Sequence, residues 1–470
     1  MANVYCGIDF GTSNSSAALS NGAKVHVLPL DPQNDSVTSL PSLLYITNEG
    51  ESIVGRSAAN AFIERNVDRE VLLKQVDLGI DIEAYVASEP DKSESYRPGS
   101  ADPNVREAVR ARAMVEVNSP GRLFQSLKTL LRHQVFKGTE VFGTTYLIEE
   151  LVAMILKRIK AAVDEVAGAP VERAVFGRPV RFSTRDDENA VAERRLQTAA
   201  NLAGFKEVVF FYEPVGACVE YAIATEDRQR LMVVDIGGGT CDVCIMEFGG
   251  AHGVSERLAE SKILSVAGVP VAGDAIDREI IRSKLFPVFG SRARYGPNKL
   301  PMPQYLYNQI LDWQNLYKLN NEETINWLLA AEANSSQPEG LRALRFLIQR
   351  NYGYPVAREV EAAKRRLSSD LETEIRLENE AVTILEQLER SEFQHIIEDQ
   401  LEVMLGSIQE AESLAGLKPG DLDLVLTTGG TSLVPAIRQM LEERFTPERI
   451  HKRDTFTSVA SGLAIVAQHA

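Results

Sequence analysis

LMVVDIGGGTCDVCIM, residues Leu231 to Met246, is the stretch on which the reading of this chain turns. The apolar run Leu231, Met232, Val233, Val234 reads as a buried strand that ends in Asp235. Gly237, Gly238 and Gly239 then allow a tight turn with no side chain above the backbone, and after Thr240 a second apolar strand leaves from Asp242. Backbone N–H groups exposed in such a turn can cradle phosphate oxygens. Asp235 and Asp242 would stand beside that phosphate as carboxylates suited to a Mg²⁺ that keeps most of its waters. An ordinary glycine-rich hairpin with a solvated aspartate remains the alternative.

The pattern occurs twice. YCGIDFGTSNSSAAL, Tyr5 to Leu19, again runs from a short apolar strand into Asp9, then Gly11, Thr12 and small polar residues, then an apolar strand. One copy opens each half of the chain, which points to an internal duplication. Two such hairpins facing each other would clamp one nucleotide between two lobes.

Length and composition fit. The 470 residues have room for two to four compact units. A hydrophobic content of 44% with 25% charged residues is that of a soluble globular protein. The net charge of −16 argues against nucleic acid or an anionic membrane as partner. No apolar run is long enough to span a bilayer, the first strand begins too early to leave room for a signal peptide, and four cysteines suit a reducing compartment, so a cytoplasmic location is expected. Cys241 and Cys244 form a CxxC, but in a strand these positions point to opposite faces, and buried small hydrophobes are the better reading.

The first half begins as a meander over Val4–Phe10, Ala17–Leu19 and Val25–Leu30. Residues 66–119 lose the pattern and read as an insertion, with Glu89–Asn104 a polar, proline-rich loop. Gly121–Arg132 carries apolar residues at helical spacing and is expected as a helix with Lys128 beside its apolar face, by itself a solvated lysine. Glu213-Pro214 follows the strand Glu207–Tyr212 and starts a helix, at the strand end where α/β sheets put their ligands; a helix-capping acid is the plain alternative. In the second half, Leu258–Val266 reads as a strand. Gly273-Asp274 opens a helix, residues 286–369 are mostly helical after a proline-rich loop, and Gly429-Gly430-Thr431 turns a strand into the helix Val434–Phe445. Glu361, Lys364 and Ser368 share one face of the helix Val356–Ser369, normally an exposed charged face.

GIDFGTSNSS, FYEPVGA, VVDIGGGTCDV, VEAAKRRLSS and LTTGGTSLVP follow one another here. In that order they resemble the actin-like ATPase superfamily, and the chain is similar to the nucleotide-binding domain of the DnaK (seventy-kilodalton heat-shock) chaperone family, most closely its YegD-like branch. The resemblance excludes roughly residues 66–119 and 286–349. It implies an α/β actin-like fold with two lobes of duplicated βββαβαβα type around a central nucleotide cleft. Lobe I would be residues 1–228 completed by the C-terminal helix 456–470, and lobe II residues 229–455 with a helical subdomain at about 286–369. Gly11, Thr12, Ser13 and Asn14 would form the first phosphate loop, and Gly237, Gly238, Gly239 and Thr240 the second. Asp9, Asp235 and Glu213 would hold Mg²⁺, mostly through water. Lys128 would reach the transferred phosphate, with Glu213, Asp235 and Thr240 completing the catalytic set. Gly273, Asp274, Glu361, Lys364, Arg365, Ser368, Gly429, Gly430 and Thr431 would hold the nucleoside.

The chemistry implied is slow hydrolysis of ATP to ADP and phosphate, coupled to lobe closure, by a monomer acting on an unknown protein partner or client. A non-catalytic nucleotide-sensing scaffold is the alternative, with a filament former or a kinase further behind. Leu433 stands where the family places its second adenine-clamping arginine, AGDA replaces a GGED-like turn, and Phe456 replaces an aspartate near the start of the last helix. No stretch resembles the family's apolar linker or β-rich peptide-binding domain.

Overall fold

The computed structural model describes residues 4–22, 24–85, 106–222, 228–250, 254–378, 383–453 and 457–469. Two larger sheets carry the fold, and their strands run in the same order. In the first half, β1 (Tyr5–Phe10), β2 (Asn14–Ser20) and β3 (Val25–Val27) are followed by α1 (Ile148–Ala167), β4 (Arg173–Arg178), α2 (Asp186–Ala203), β5 (Glu207–Tyr212) and α3 (Glu213–Ala222). In the second, β6 (Gln229–Ile236), β7 (Cys241–Phe248) and β8 (Lys262–Val269) are followed by α4 (Glu398–Ala415), β9 (Leu424–Thr428), α5 (Pro435–Arg444), β10 (Ile450–Lys452) and α6 (Ser458–Val466). The sheets read β3-β2-β1-β4-β5 and β8-β7-β6-β9-β10, with the short strand Leu40–Pro41 pairing beside β2. In each, the first three strands are antiparallel and the last two join in parallel through helices. This is the duplicated βββαβαβα unit.

Burial explains why the strands read as continuous apolar runs. Every residue from Leu231 to Ile236 is buried, as is every residue from Cys241 to Met246. Helices cover both faces of such a sheet, so no alternation is needed. Cys241 faces one hydrophobic cluster and Cys244 the other, as the period of two requires, and all four cysteines are free and buried.

The last helix of each half packs partly on the other half. α3 packs on β6 and β7 as well as on its own strands, while α6 packs on β1, β2 and β4. The two helices cross at Gly216 and Gly462, where a Cβ on Gly462 would lie 1.7 Å from the Gly216 carbonyl oxygen. The core between the sheets therefore mixes both halves, with Val215 and Val219 beside Leu231, Leu426 and Leu463.

Gly121–Arg132 is not the expected helix. Gly121–Phe124 is a strand paired with Leu44–Thr47, which in turn pairs with Ser52–Val54. Gly121 lies over the Tyr45 ring, 2.2 Å from where a Cβ would stand, and Ser126 takes a positive φ of 56° that breaks any helix running through it. Sheet pairing outweighs the helical spacing, and Lys128 falls on the short helix Leu127–Leu130. The strand expected at Leu258–Val266 is divided into the helix Val254–Glu260 and β8. Residues 66–119 hold a long antiparallel hairpin, Leu73–Tyr85 with Arg106–Glu116, while Glu89–Asn104 lies outside the described residues. Residues 304–333 are helical as expected, in the segments Gln304–Leu311, Trp313–Leu319 (a 3-10 turn) and Glu322–Ala333.

Candidate active site

The β1–β2 and β6–β7 hairpins meet tip to tip. A Cβ on Gly238 would stand 2.1 Å from Ser13 Oγ, and one on Gly239 2.6 Å from Thr12 Oγ1, so a side chain at either position would have to displace the facing hairpin's Ser13 or Thr12. The second hairpin is closed by Gly237 N–H donating to Thr240 O at 3.0 Å. From behind, the Asp274 N–H donates to Gly238 O at 2.8 Å, and Gly237 O accepts from the Thr431 hydroxyl at 2.7 Å and from the Gly273 N–H at 3.2 Å. The GGT turn and the start of the helix Gly273–Ile280 thus brace the hairpin. The first hairpin is held by Ser42, whose N–H donates to Ser13 O (2.9 Å) and whose hydroxyl donates to Gly11 O (2.8 Å).

Below the tips lies a buried charge cluster. Asp9 and Asp235 each lie one residue before the end of β1 and β6, and Asp242 is directly opposite Asp235 on β7. Glu213 opens α3 and is 6% exposed. Lys128, 5% exposed, donates to Glu213 Oε1 at 2.6 Å. Asp242 accepts from the Val180 N–H at 2.6 Å and from the Thr240 hydroxyl, tying the second half to the strand end of the first. Four carboxylates therefore share one ammonium. Burial, with Glu213 nearby, pushes the Asp9 and Asp242 carboxyls up to about 7, and burial with the same acidic neighbours pushes Asp235 well above the usual range. Burial alone would lower Lys128, but Glu213 and Asp9 hold it above an ordinary lysine. Among the described residues no three acids, histidines or cysteines converge closely enough to ligate a metal directly.

A cleft of about 980 Å³ opens above the hairpin tips. Thr12, Ser13, Asn14, Lys128, Gly238, Gly239, Thr240, Asp274, Glu361 and Arg365 line it. Gly11, Gly237, Gly273, Gly429, Gly430, Thr431, Asp9, Asp235 and Glu213 are not among the residues that line it. Ser368 is half-buried beyond the end of the helix Gly353–Arg366, away from the lining. Lys364 does not face solvent: its ammonium sits 2.8 and 2.9 Å from the two Asp277 oxygens and donates to Gly273 O at 3.3 Å. Burial raises Asp277 to about 6 despite that partner.

Several site residues carry no signal in the sequence. Ser126, held at positive φ, donates to Asp274 Oδ2 at 3.2 Å across the cleft. Asn34, Asp35 and Ser36, in a polar loop, line one wall, and Asp35 lies 3.3 Å from Arg56 and 3.8 Å from Arg365. Phe62 of the first half meets Trp313 at 6.0 Å and Tyr354 at 5.5 Å between ring centres, and Trp313 and Tyr354 also line the cleft. Only their distant sequence positions hide this cluster, since each looks like an ordinary core aromatic.

The sequence profile of the family described as Hsp70 protein matches residues 119–269 and 350–469, more than half of the chain. The chain is 26% identical over 469 residues to the chaperone protein DnaK of Thermus thermophilus, covering 98% of this chain and 60% of that protein. It is also 26% identical over 467 residues to the chaperone protein DnaK 1 of a Synechococcus species, covering 98% of this chain and 49% of that protein. The chain thus spans about half to three-fifths of the length of these relatives. It belongs to the Hsp70 family, whose fold is that of the actin-like ATPases.

Proposed function

From its place in the Hsp70 family, we propose that this chain binds ATP with Mg²⁺ between its two halves and hydrolyses it slowly to ADP and phosphate, with closure of the halves coupled to the nucleotide. The buried Lys128–Glu213 pair, beneath two touching hairpins and beside Asp9 and Asp235, carries this reading. The halves act as lobes, residues 1–228 with the helix 456–470 and residues 229–455. The protein works as a chaperone-type switch on a protein client, as a monomer in the cytoplasm.

Phosphoryl transfer to water needs positioning and neutralisation of spread charge more than covalent help. Thr12, Ser13 and Asn14 on one side and Gly238, Gly239 and Thr240 on the other offer N–H and hydroxyl donors to the phosphate chain. Lys128, fixed by Glu213, directs its remaining protons towards the transferred phosphoryl group and the attacking water. Asp9, Asp235 and Glu213 fit a hydrated Mg²⁺ because four buried acids share a single ammonium, and Asp242 fixes Thr240. Mg²⁺, when bound there, supplies positive charge against the phosphate oxygens. Glu361 and Arg365 flank the nucleoside. Lys364, held by Asp277, backs that wall rather than projecting into it. With Leu433 in place of an arginine, one cation–π contact to the base is lost, and discrimination among bases is weaker than in the relatives.

The test is single-turnover hydrolysis of Mg·ATP by the wild type and Lys128→Ala, with nucleotide affinity titrated alongside. Hydrolysis by the wild type and binding without hydrolysis by the variant are expected. Binding by both with hydrolysis by neither would refute the ATPase reading and leave a nucleotide sensor.

A further inference from the structure

Outside the nucleotide cleft a second cavity of about 340 Å³ lies on the far side of the aromatic cluster. It is shared by the two halves. Phe62, Arg122 and Phe142 come from the first, Trp313 and Tyr317 from the second, and the Asn351 amide donates to Asn66 O at 3.4 Å across the seam. Three features set its chemistry. Rings from both halves form its walls, and Phe142 is left 42% exposed beside it. The Arg122 guanidinium is half-buried, donates to Thr139 Oγ1 at 2.8 Å and to Glu140 O at 3.3 Å, and lies 4.9 Å over the Phe124 ring. Among the described residues it has no carboxylate partner, whereas Glu116 beside it is taken up by Arg69 and Glu140 stands on the exposed rim. Burial lowers the Arg122 pKa, opposed by Tyr317 and Asp312 nearby.

We propose that this cavity is a binding site for a small aromatic carboxylate, its ring held among Phe62, Phe142, Trp313 and Tyr317 and its carboxylate paired with Arg122. Offset or edge-on ring contacts supply the apolar part of the affinity, and a guanidinium can take a carboxylate with two parallel hydrogen bonds. The ligand touches both halves, so it favours the arrangement in which they are closed. On the nucleotide-binding reading above, it therefore raises nucleotide affinity and slows release, and a bound nucleotide raises its affinity by the same factor as it raises the nucleotide's.

The probe is 4-(trifluoromethyl)benzoate, followed by fluorine NMR on the nucleotide-free full chain, with 4-(trifluoromethyl)benzamide as its uncharged counterpart. Saturable binding of the benzoate is expected, weakened about tenfold or more for the benzamide and for Arg122→Gln, and weakened again in Trp313→Ala. Arg122→Lys, which keeps the charge but not the fork, should recover part of the loss. Equal binding of benzoate and benzamide to the wild type, or no saturable binding, overturns the proposal whether or not the variants fold. In a second measurement the probe should slow release of Mg·ADP from the wild type. If no nucleotide binds at all, the ATPase reading fails while the NMR titration still decides the cavity.

Discussion

Replacing Gly462 by alanine tests the crossing of α3 and α6 on which the joining of the halves rests. The new methyl carbon would stand 1.7 Å from the Gly216 carbonyl oxygen, 2.5 Å from its carbonyl carbon and 3.0 Å from its Cα. A comfortable carbon–oxygen contact is about 3.3 Å, so α6 must retreat by roughly 1.5 Å. It has nowhere to go, because on its other side it rests on β1 at Gly7, where even a Cβ would come within 2.2 Å of the Ala464 nitrogen. Overpacking costs about 1–3 kcal/mol where side chains can yield, and here both obstacles are backbone, so a loss at or above about 3 kcal/mol is expected. For a chain of 470 residues that is a fall in Tm of about 3 °C or more. Gly406→Ala is the control: it lies within α4 with nothing within 4 Å of the added methyl, and should gain up to about 1 kcal/mol from helix propensity. Thermal melts followed by circular dichroism measure both. A Gly462→Ala protein that melts with the wild type, beside a Gly406→Ala protein that behaves as expected, would refute the packing argument.

Phe62→Ala removes a ring that contacts Tyr45, Trp313 and Tyr354, so it should lower Tm and speed release of Mg·ADP measured by stopped flow, and unchanged release would show that the cluster does not hold the cleft shut. Asp277 titrates near 6 when folded, above its unfolded value, so the stability it contributes is full below about pH 4 and is lost as pH rises through about 6. Asp277→Asn should flatten the pH dependence of the unfolding free energy across that window by up to about 3 kcal/mol, and an unchanged slope would count against the assignment. Because Asp9 and Asp242 hold protons up to about pH 7, thermal stabilisation by Mg·ADP should be larger at about pH 8 than at about pH 6. Equal stabilisation at both would mean that no cation replaces those protons.

The duplication was legible because its evidence is local: two strand–Asp–Gly–Thr–strand runs survive in single stretches, and the sheets built on them have matching order. The residues that brace the hairpins could be read only in part. Gly273 and Thr431 lie in recognisable turns, yet their hydrogen bonds to Gly237 are a tertiary fact. The strand Gly121–Phe124 reads as part of a helix, because Leu123, Phe124, Leu127 and Leu131 suit one continuous helix and a strand followed by a short helix equally well. What decides between them is the Tyr45 ring and the pairing with Leu44–Thr47, nearly 80 residues upstream. Lys364 looked solvent-exposed because its partner Asp277 lies on a different helix. Arg122, Phe142 and Trp313 meet only through the fold, and no spacing in the sequence announces them.

The placement of α6 has a consequence for how the protein is made. β1 leaves the ribosome more than 440 residues ahead of the helix that covers it, Ser458–Val466. Until then one face of the first sheet, including Ala18 and Val27, lacks its cover of Ala460 and Ala464. The first half therefore cannot reach its final packing during synthesis of the second. Contacts spanning almost the whole chain make late folding steps slow, and the open sheet face is the stretch most exposed to misassociation in the interval.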